Sequence, residues 1–527
     1  MVEAPVVTAS KPRSLLGNAG WSFVSTAWFA ASSFILTPFL IAHLGTNHYG
    51  LFVLLASITG VLGVLDLGLG QATLRYVAHY YGRKDMAGIN RTLGATFAVH
   101  VLTGSLAWAL LFYGASRVAG WLAVAPQDLE LTVDILLVMA ISFGLTLVSG
   151  AFGAIPKALQ RYDLDTAVQL GQSILQLLGT AAILLLGMGI YELVVWGLMT
   201  TLFRQILNMA LAKHLIPELR LVPRPSREGL REVFGFGIYS AISQLLAVVW
   251  QESDRLLLGT LFSASAVGYL TVPKNLVTRG ASALYSAGSA LFPRFGATED
   301  RHEIRRLLLD ATWSMFSASI VLFVPITVLL PDFLRLWVGP EFAATSARVG
   351  QVLAFSFIFR GGFVPYQGLF QGLGKPQYLT VISLGSGLTI LALNLLLIPA
   401  FGLVGAGYAY VLALAWGFSG LLYAWKVIKE QAPWSPLVRA ALLPCALALV
   451  SLSSCLWIRT LAGEPRWLAL VLLGVLFAGI TSSLLVGADW LLARSESHAA
   501  TLLRALARLL RSAPGYRLVA SHIEGRF

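Results

Sequence analysis

Five basic side chains, Arg204, Arg255, Lys274, Arg279 and Arg360, stand inside stretches otherwise built mainly from Leu, Val, Ala, Phe and Gly. A guanidinium group presents a planar fork of donors that matches phosphate oxygens, and an ammonium group supplies a compact point charge. Cations among apolar residues therefore read first as a site for a phosphorylated or otherwise anionic ligand. Their neighbours sort them. Glu252 lies one helical turn before Arg255, so the two can pair on one face, while Asp254 points elsewhere. Arg204 is close enough to the end of its stretch to snorkel into polar surroundings, and Lys274 is partly interfacial. Arg279 and Arg360 have no acidic neighbour at helical spacing. Two roles stay open to them, an anionic ligand or acids on other helices, and the fork geometry favours the ligand.

Uncharged polar residues recur at helical spacing too. Gln169, Gln172 and Gln176 share one face of a helix. Gln244 and Gln251 step toward Arg255, Asn275 and Arg279 precede Ser282, Ser286 and Ser289, and Gln367 and Gln371 follow Arg360. Serine stripes suit close helix packing. Glutamine and arginine are too large for that, so their stripes are expected to face water or substrate. Glu252 and Asp254 are the better candidates for proton or sodium coupling. Asp66, in Leu65-Asp66-Leu67-Gly68-Leu69-Gly70-Gln71, either pairs with Arg75 or binds a coupling cation. No cofactor is expected. The eight histidines form no His-Glu-x-x-His motif, and no P-loop or Gly-x-Ser-x-Gly appears. Cys445 and Cys455 read as packing residues.

The elements that must carry these side chains follow from composition. Charged residues are 12% and apolar residues 57% of 527, too little charge to clothe a soluble surface. The net charge is +12, but a nucleic-acid binder would be rich in charge and this chain is not. An integral membrane protein remains. At about 20 apolar residues per crossing, the chain supplies spans near 18–42, 50–75, 92–115, 131–153, 164–188, 190–212, 234–262, 265–292, 307–330, 347–373, 377–399, 403–427, 437–459 and 467–491. Strand-like alternation is absent, so the spans are helices. About 27 Lys and Arg fall in the connections on the amino-terminal side and about five on the other. Both termini are thus expected in the cytoplasm, which requires an even number of spans. The segment 499–511, apolar beside arginines, reads as an interfacial helix on anionic lipid.

A shift of 218 residues brings Gly17 onto Gly235, Ser22 onto Ser240, Gly50 onto Gly268 and Arg83 onto Arg301; a shift of 216 brings Tyr162 onto Tyr378 and Gly171 onto Gly387. The expected fold class is therefore an all-α polytopic membrane protein of about 14 transmembrane helices. Two six-helix lobes in parallel pseudo-repeat, 1–215 and 216–432, precede two extra C-terminal helices (433–492) and a basic amphipathic tail (493–527). Such repeats are a transporter architecture, with the binding site between the halves.

Several segments resemble the Wzx-type polysaccharide flippases. They are His48-Tyr49-Gly50-Leu51-Phe52, Leu65 through Gly70, Arg75-Tyr76-Val77-Ala78, and Asp254-Arg255-Leu256-Leu257-Leu258-Gly259 with Val267-Gly268-Tyr269. In the second half they are Gln371-Gly372-Leu373-Gly374-Lys375-Pro376, Asn394, Pro399, Gly402 and Gly405-Ala406. The likeness covers about 15–430 and rests mostly on glycines and apolar residues. That family shares a superfamily with lipid II flippases and multidrug extruders. The resemblance implies a bacterial inner-membrane protein of twelve core helices plus two. It would move an undecaprenyl-pyrophosphate-linked oligosaccharide to the outer leaflet, alongside the glycan polymerase and glycosyltransferases of the same pathway. Pyrophosphate would dock near Arg255, Arg279 and Arg360, with Lys274 assisting. Asn275 and the glutamines would bind sugar hydroxyls, and the prenyl chain would stay among membrane lipids. The rival reading is a cation-coupled multidrug extruder of the same superfamily, disfavoured because bases outnumber acids within the spans. A glycan polymerase or ligase is disfavoured by the short external connections.

Overall fold

The computed structural model describes residues 15–220, 224–289, 292–297, 300–375, 377–428, 435–463 and 465–492. The basic tail, with its expected interfacial helix at 499–511, lies outside the described residues. Among those described, every regular element is helical: α1 (Leu15–Leu62), α2 (Leu69–Gly82), α3 (Met86–Trp121), α4 (Leu129–Ala158), α5 (Tyr162–Leu185), α6 (Ile190–Leu215), α7 (Arg227–Leu261), α8 (Ala264–Ser289), α9 (Phe292–Ala297), α10 (Arg301–Trp337), α11 (Pro340–Arg360), α12 (Val364–Gly372), α13 (Gln377–Phe401), α14 (Leu403–Leu412), α15 (Leu414–Val427), α16 (Ser435–Leu461) and α17 (Trp467–Leu492).

Each expected span falls on one of these helices or on a consecutive pair. Eleven described stretches are long and apolar enough to cross a membrane. One of them, Val24–Asp66, has 43 residues. At about 1.5 Å per residue it would reach roughly twice the ~30 Å hydrocarbon thickness. Gly45 resolves this, because its φ of 74° and ψ of 166° break the helix. No Cβ opposes that left-handed conformation, so the stretch can cross twice. With α7 and α8 on the two expected polar spans, the helices are compatible with fourteen crossings.

Local signals start the helices where connections end. Asp85 accepts a hydrogen bond from Gly88 N at 2.8 Å to cap α3, Ser226 from Gly229 N at 3.1 Å to cap α7, and Asp300 from His302 N at 2.9 Å to cap α10. Helix surfaces then invert the soluble pattern. On α17, Leu468, Val471, Leu472 and Val475 form an exposed apolar stripe. On α3, Thr92, Thr96, His100 and Thr103 are buried while Leu102, Leu106 and Leu110 are exposed. Apolar outside and polar inside is what a bilayer demands, since hydrocarbon offers polar groups no partner.

The chain divides into two compact units, 1–272 with 394–402, and 273–393 with 403–527. In the first, α3 packs on α4, α4 on α6, α5 on α1 and α6, and α7 on α1, α2 and α3. In the second, α10 is the hub, touched by α11, α16 and α17. An aromatic core of Phe316, Phe323, Phe357, Phe363 and Phe370 surrounds the hub. After α11 the chain tightens into a 3-10 turn, Gly361–Phe363, where a Cβ on Gly362 would lie 2.1 Å from the Phe316 ring. The appended helices are tied to the hub: Arg459 grips Asp332 through Nε and Nη2, both at 2.5 Å, and Phe333 meets Trp467 edge to face.

The repeat has a geometric counterpart inside the first unit. Ser265 Oγ donates to Asn47 Oδ1 at 3.3 Å, across a separation of 218 residues. A Cβ on Gly268 would lie 3.3 Å from the Gly50 Cα. Both pairs consist of residues equated by the 218-residue shift. Residues 47–50 and 265–268 thus meet in space. The approach is backbone to backbone: a Cβ on Gly50 would lie 1.9 Å from the Ala264 carbonyl oxygen. Gly50→Val is therefore expected to destabilise the protein by about 3 kcal/mol or more, at the upper end of overpacking costs. Thermal unfolding of the purified variant checks this.

Candidate functional site

The cations named from sequence fall into different environments. In the second unit, Lys274 on α8 is 5% exposed and Arg360 at the end of α11 is 9% exposed. Both lie over the ring of Tyr410 from α14, at 5.5 and 5.4 Å from its centroid. Arg360 also stacks on Phe357 at 5.2 Å and directs Nη2 at the Tyr410 carbonyl oxygen at 3.5 Å. Two buried cations thus share one aromatic ring, whose face attracts positive charge. A buried charge depends on partners inside the protein, and the Tyr410 ring is one that the two cations share. Arg279, one turn beyond Asn275 on α8, is exposed, and Asn275 is half-buried. Gln367 is half-buried and Gln371 exposed on α12.

In the first unit, Arg255 donates to both oxygens of Glu252, at 2.9 and 3.3 Å, as the spacing on α7 required. Asp254 is fully buried and accepts from the Arg255 backbone N at 2.8 Å. Next to it, Asn394 Nδ2 donates to Ser253 Oγ at 3.1 Å. Gln251 is exposed.

Asp66 acquires partners that adjacency did not reveal. Its Oδ1 lies 3.1 Å from Nε2 of His100, which is wholly buried in α3, and its Oδ2 lies 3.5 Å from Gln244 Nε2 on α7. A carboxylate and an imidazole thus meet, with α7 attached through Gln244. The stripe Thr92, Thr96, His100 and Thr103 on α3 was the available signal for His100.

The α5 glutamines are engaged between helices. Gln176 accepts from Thr200 at 2.6 Å and donates to Thr180 at 3.3 Å, Gln172 accepts from Arg204 at 3.3 Å, and Gln169 donates to Asp165 at 2.7 Å. Their stripe thus meets α6 through Gln172 and Gln176, and Arg204 points into the protein. A network of Tyr80, Arg91, Glu228 and Glu232 also pins α7. Tyr80 Oη donates to Glu232 at 2.7 Å, and Arg91 reaches Glu228 at 3.0 Å and Glu232 at 3.7 Å. The Glu232 carboxylate, by accepting its hydrogen bond, pushes the Tyr80 hydroxyl above its ordinary pKa.

Inward-facing polar stripes, buried cations and outward apolar surfaces define a multi-pass membrane transporter. The chain belongs to the polysaccharide biosynthesis protein family, whose profile matches residues 15–299. A MatE profile matches residues 240–396. A putative O-antigen transporter of Shigella flexneri is 20% identical over 420 residues, 78% of this chain and 96% of its own. Among solved structures, the lipid II flippase MurJ in an inward closed conformation aligns at 14% identity with a TM-score of 0.66, over 89% of this chain and 98% of its own. An inward-facing multidrug resistance MATE transporter aligns at 15% identity with a TM-score of 0.65, over 76% and 96%. The helical fold is that of these transporters.

Proposed function

We propose that the protein is a flippase that moves an undecaprenyl-pyrophosphate-linked oligosaccharide from the cytoplasmic to the outer leaflet of a bacterial inner membrane by alternating access. The observation that carries this reading is the pair of buried cations, Lys274 and Arg360, on the Tyr410 ring. Diphosphate is a ligand that repays the burial of such charge, because charge-assisted hydrogen bonds strengthen in a low-dielectric site. Arg279, in the same unit, adds a third cation. Gln244, Gln251, Asn275, Gln367 and Gln371 offer donors and acceptors to sugar hydroxyls, while the prenyl chain stays in lipid. The lobes that rock are 1–215 and 216–432, with both termini in the cytoplasm. Substrate arrives from the glycosyltransferases of its pathway and leaves to the polymerase. The relative named as an O-antigen transporter supports this substrate class.

The MatE match keeps an extruder of organic cations as the second reading. Such a substrate needs acidic surroundings, and a Lys–Arg pair on one ring repels it. Deleting the gene separates the two. Loss of surface glycan, with restoration by the wild-type protein and unchanged drug tolerance, is the expected outcome. Intact glycan with heightened drug sensitivity would favour extrusion.

A further inference from the structure

The first unit contains a cavity that the transport reading does not use. It measures about 230 Å³ and is walled by α2, α4 and α6. Its polar lining includes Gln71, Ser149, Lys157, Arg204, Gln205 and Asn208, with no acid among the residues that form the wall. We infer that this cavity binds a phosphate group carrying a single negative charge.

Four observations converge. The first is charge. Lys157 and Arg204 supply two cations, and the acid beside them is Asp165, 3.6 Å from Lys157. One positive charge is left over, which suits a phosphodiester better than a dianion. The second is an unsatisfied group aimed inward. Gln205 is 8% exposed, and its Oε1 has no hydrogen-bond partner. Turning that amide presents its two N–H donors to an oxyanion instead. Asn208, 5% exposed, lies beside it with a second amide.

The third is space held open by glycine. A Cβ on Gly153 would lie 3.4 Å from Asn208 Nδ2, and one on Gly150 would lie 3.8 Å from His100 Cε1. Larger residues at these positions would consume a volume well beyond the ~10–15 Å³ that one water requires. The fourth is position. Lys157 stands in the last turn of α4, where a long cation can reach lipid headgroups, and Arg204 lines the same cavity from the middle of α6. Arg204 is pre-positioned there by its bond to Gln172, which limits the side-chain entropy lost on binding.

An anionic lipid headgroup and free inorganic phosphate share this chemistry, and the test separates them. The full-length protein is placed in nanodiscs of phosphatidylcholine alone, the same discs with inorganic phosphate added, or discs of phosphatidylcholine and phosphatidylglycerol in equal parts. Unfolding temperature and lipid retention by native mass spectrometry are read for the wild type, Lys157→Gln, Gly150→Leu and Arg83→Gln. Lys157 is 38% exposed at its side chain, so its replacement leaves folding intact. Arg83 is an exposed cation that is not among the cavity lining and controls for general surface attraction.

Stabilisation by phosphatidylglycerol is expected in the wild type and Arg83→Gln. It should weaken about tenfold in apparent affinity in Lys157→Gln, one charged hydrogen bond's worth, and vanish in Gly150→Leu. The same pattern with inorganic phosphate alone would support the site and assign it to a soluble phosphate. Equal stabilisation of all four proteins, or none by either ligand, would overturn the proposal.

Discussion

Arg360→Met is expected to abolish surface glycan while the protein still inserts into the membrane. The side chain is 9% exposed, lies over Phe357 and Tyr410, and shares the latter ring with Lys274. A methionine fills similar space against Phe357 and Tyr410 and removes the charge that a diphosphate would meet. Transport should fall, because charge-assisted bonds to a diphosphate are each worth about 1.5–3 kcal/mol, roughly 10- to 100-fold in affinity. Arg279→Ala should fall in the same direction, and Arg360→Lys should retain part of the activity by keeping charge without the fork. A purely structural Arg360 makes the opposite prediction: the Arg360→Met molecules that fold would transport at the wild-type rate.

Asp66→Asn should lower ion-driven transport at least tenfold, and His100→Gln should do the same. Asp66 joins three segments: its own 3-10 turn between α1 and α2, α3 through His100, and α7 through Gln244. Asparagine keeps the size and the contact with Gln244 but removes the charge that His100 faces. If this pair takes up and releases the coupling proton, an imposed pH gradient will accelerate the wild type and leave Asp66→Asn unaffected. A variant that keeps the wild-type response would shift the coupling role to Glu252 or Asp254. Of these, Glu252 is engaged by Arg255 and Asp254 is wholly buried.

What could be read from sequence was local. The spans were legible because a bilayer imposes one length and one polarity on every crossing. The Glu252–Arg255 pair was legible because one helical turn joins its members. The Gly50–Gly268 equivalence was legible as a shift, though its meaning as a contact was not. Pairings between helices left no such trace. Gln172 and Arg204 are 32 residues apart, and as separate stripes they read as a water-facing surface and a snorkelling side chain. His100 seemed scattered until α3 set it against Asp66. Tyr410, which gathers two cations, sits in a run of glycine and alanine with nothing polar to flag it.

The most direct test of the account is translocation in proteoliposomes containing only this protein and a lipid-pyrophosphate oligosaccharide, with the outward-exposed sugar followed over time. Wild-type vesicles should expose the sugar faster than protein-free vesicles, and faster still under an ion gradient, while Arg360→Met vesicles should match the protein-free rate. Wild-type vesicles that flip no faster than protein-free ones, or an Arg360→Met protein that flips at the wild-type rate, would contradict it.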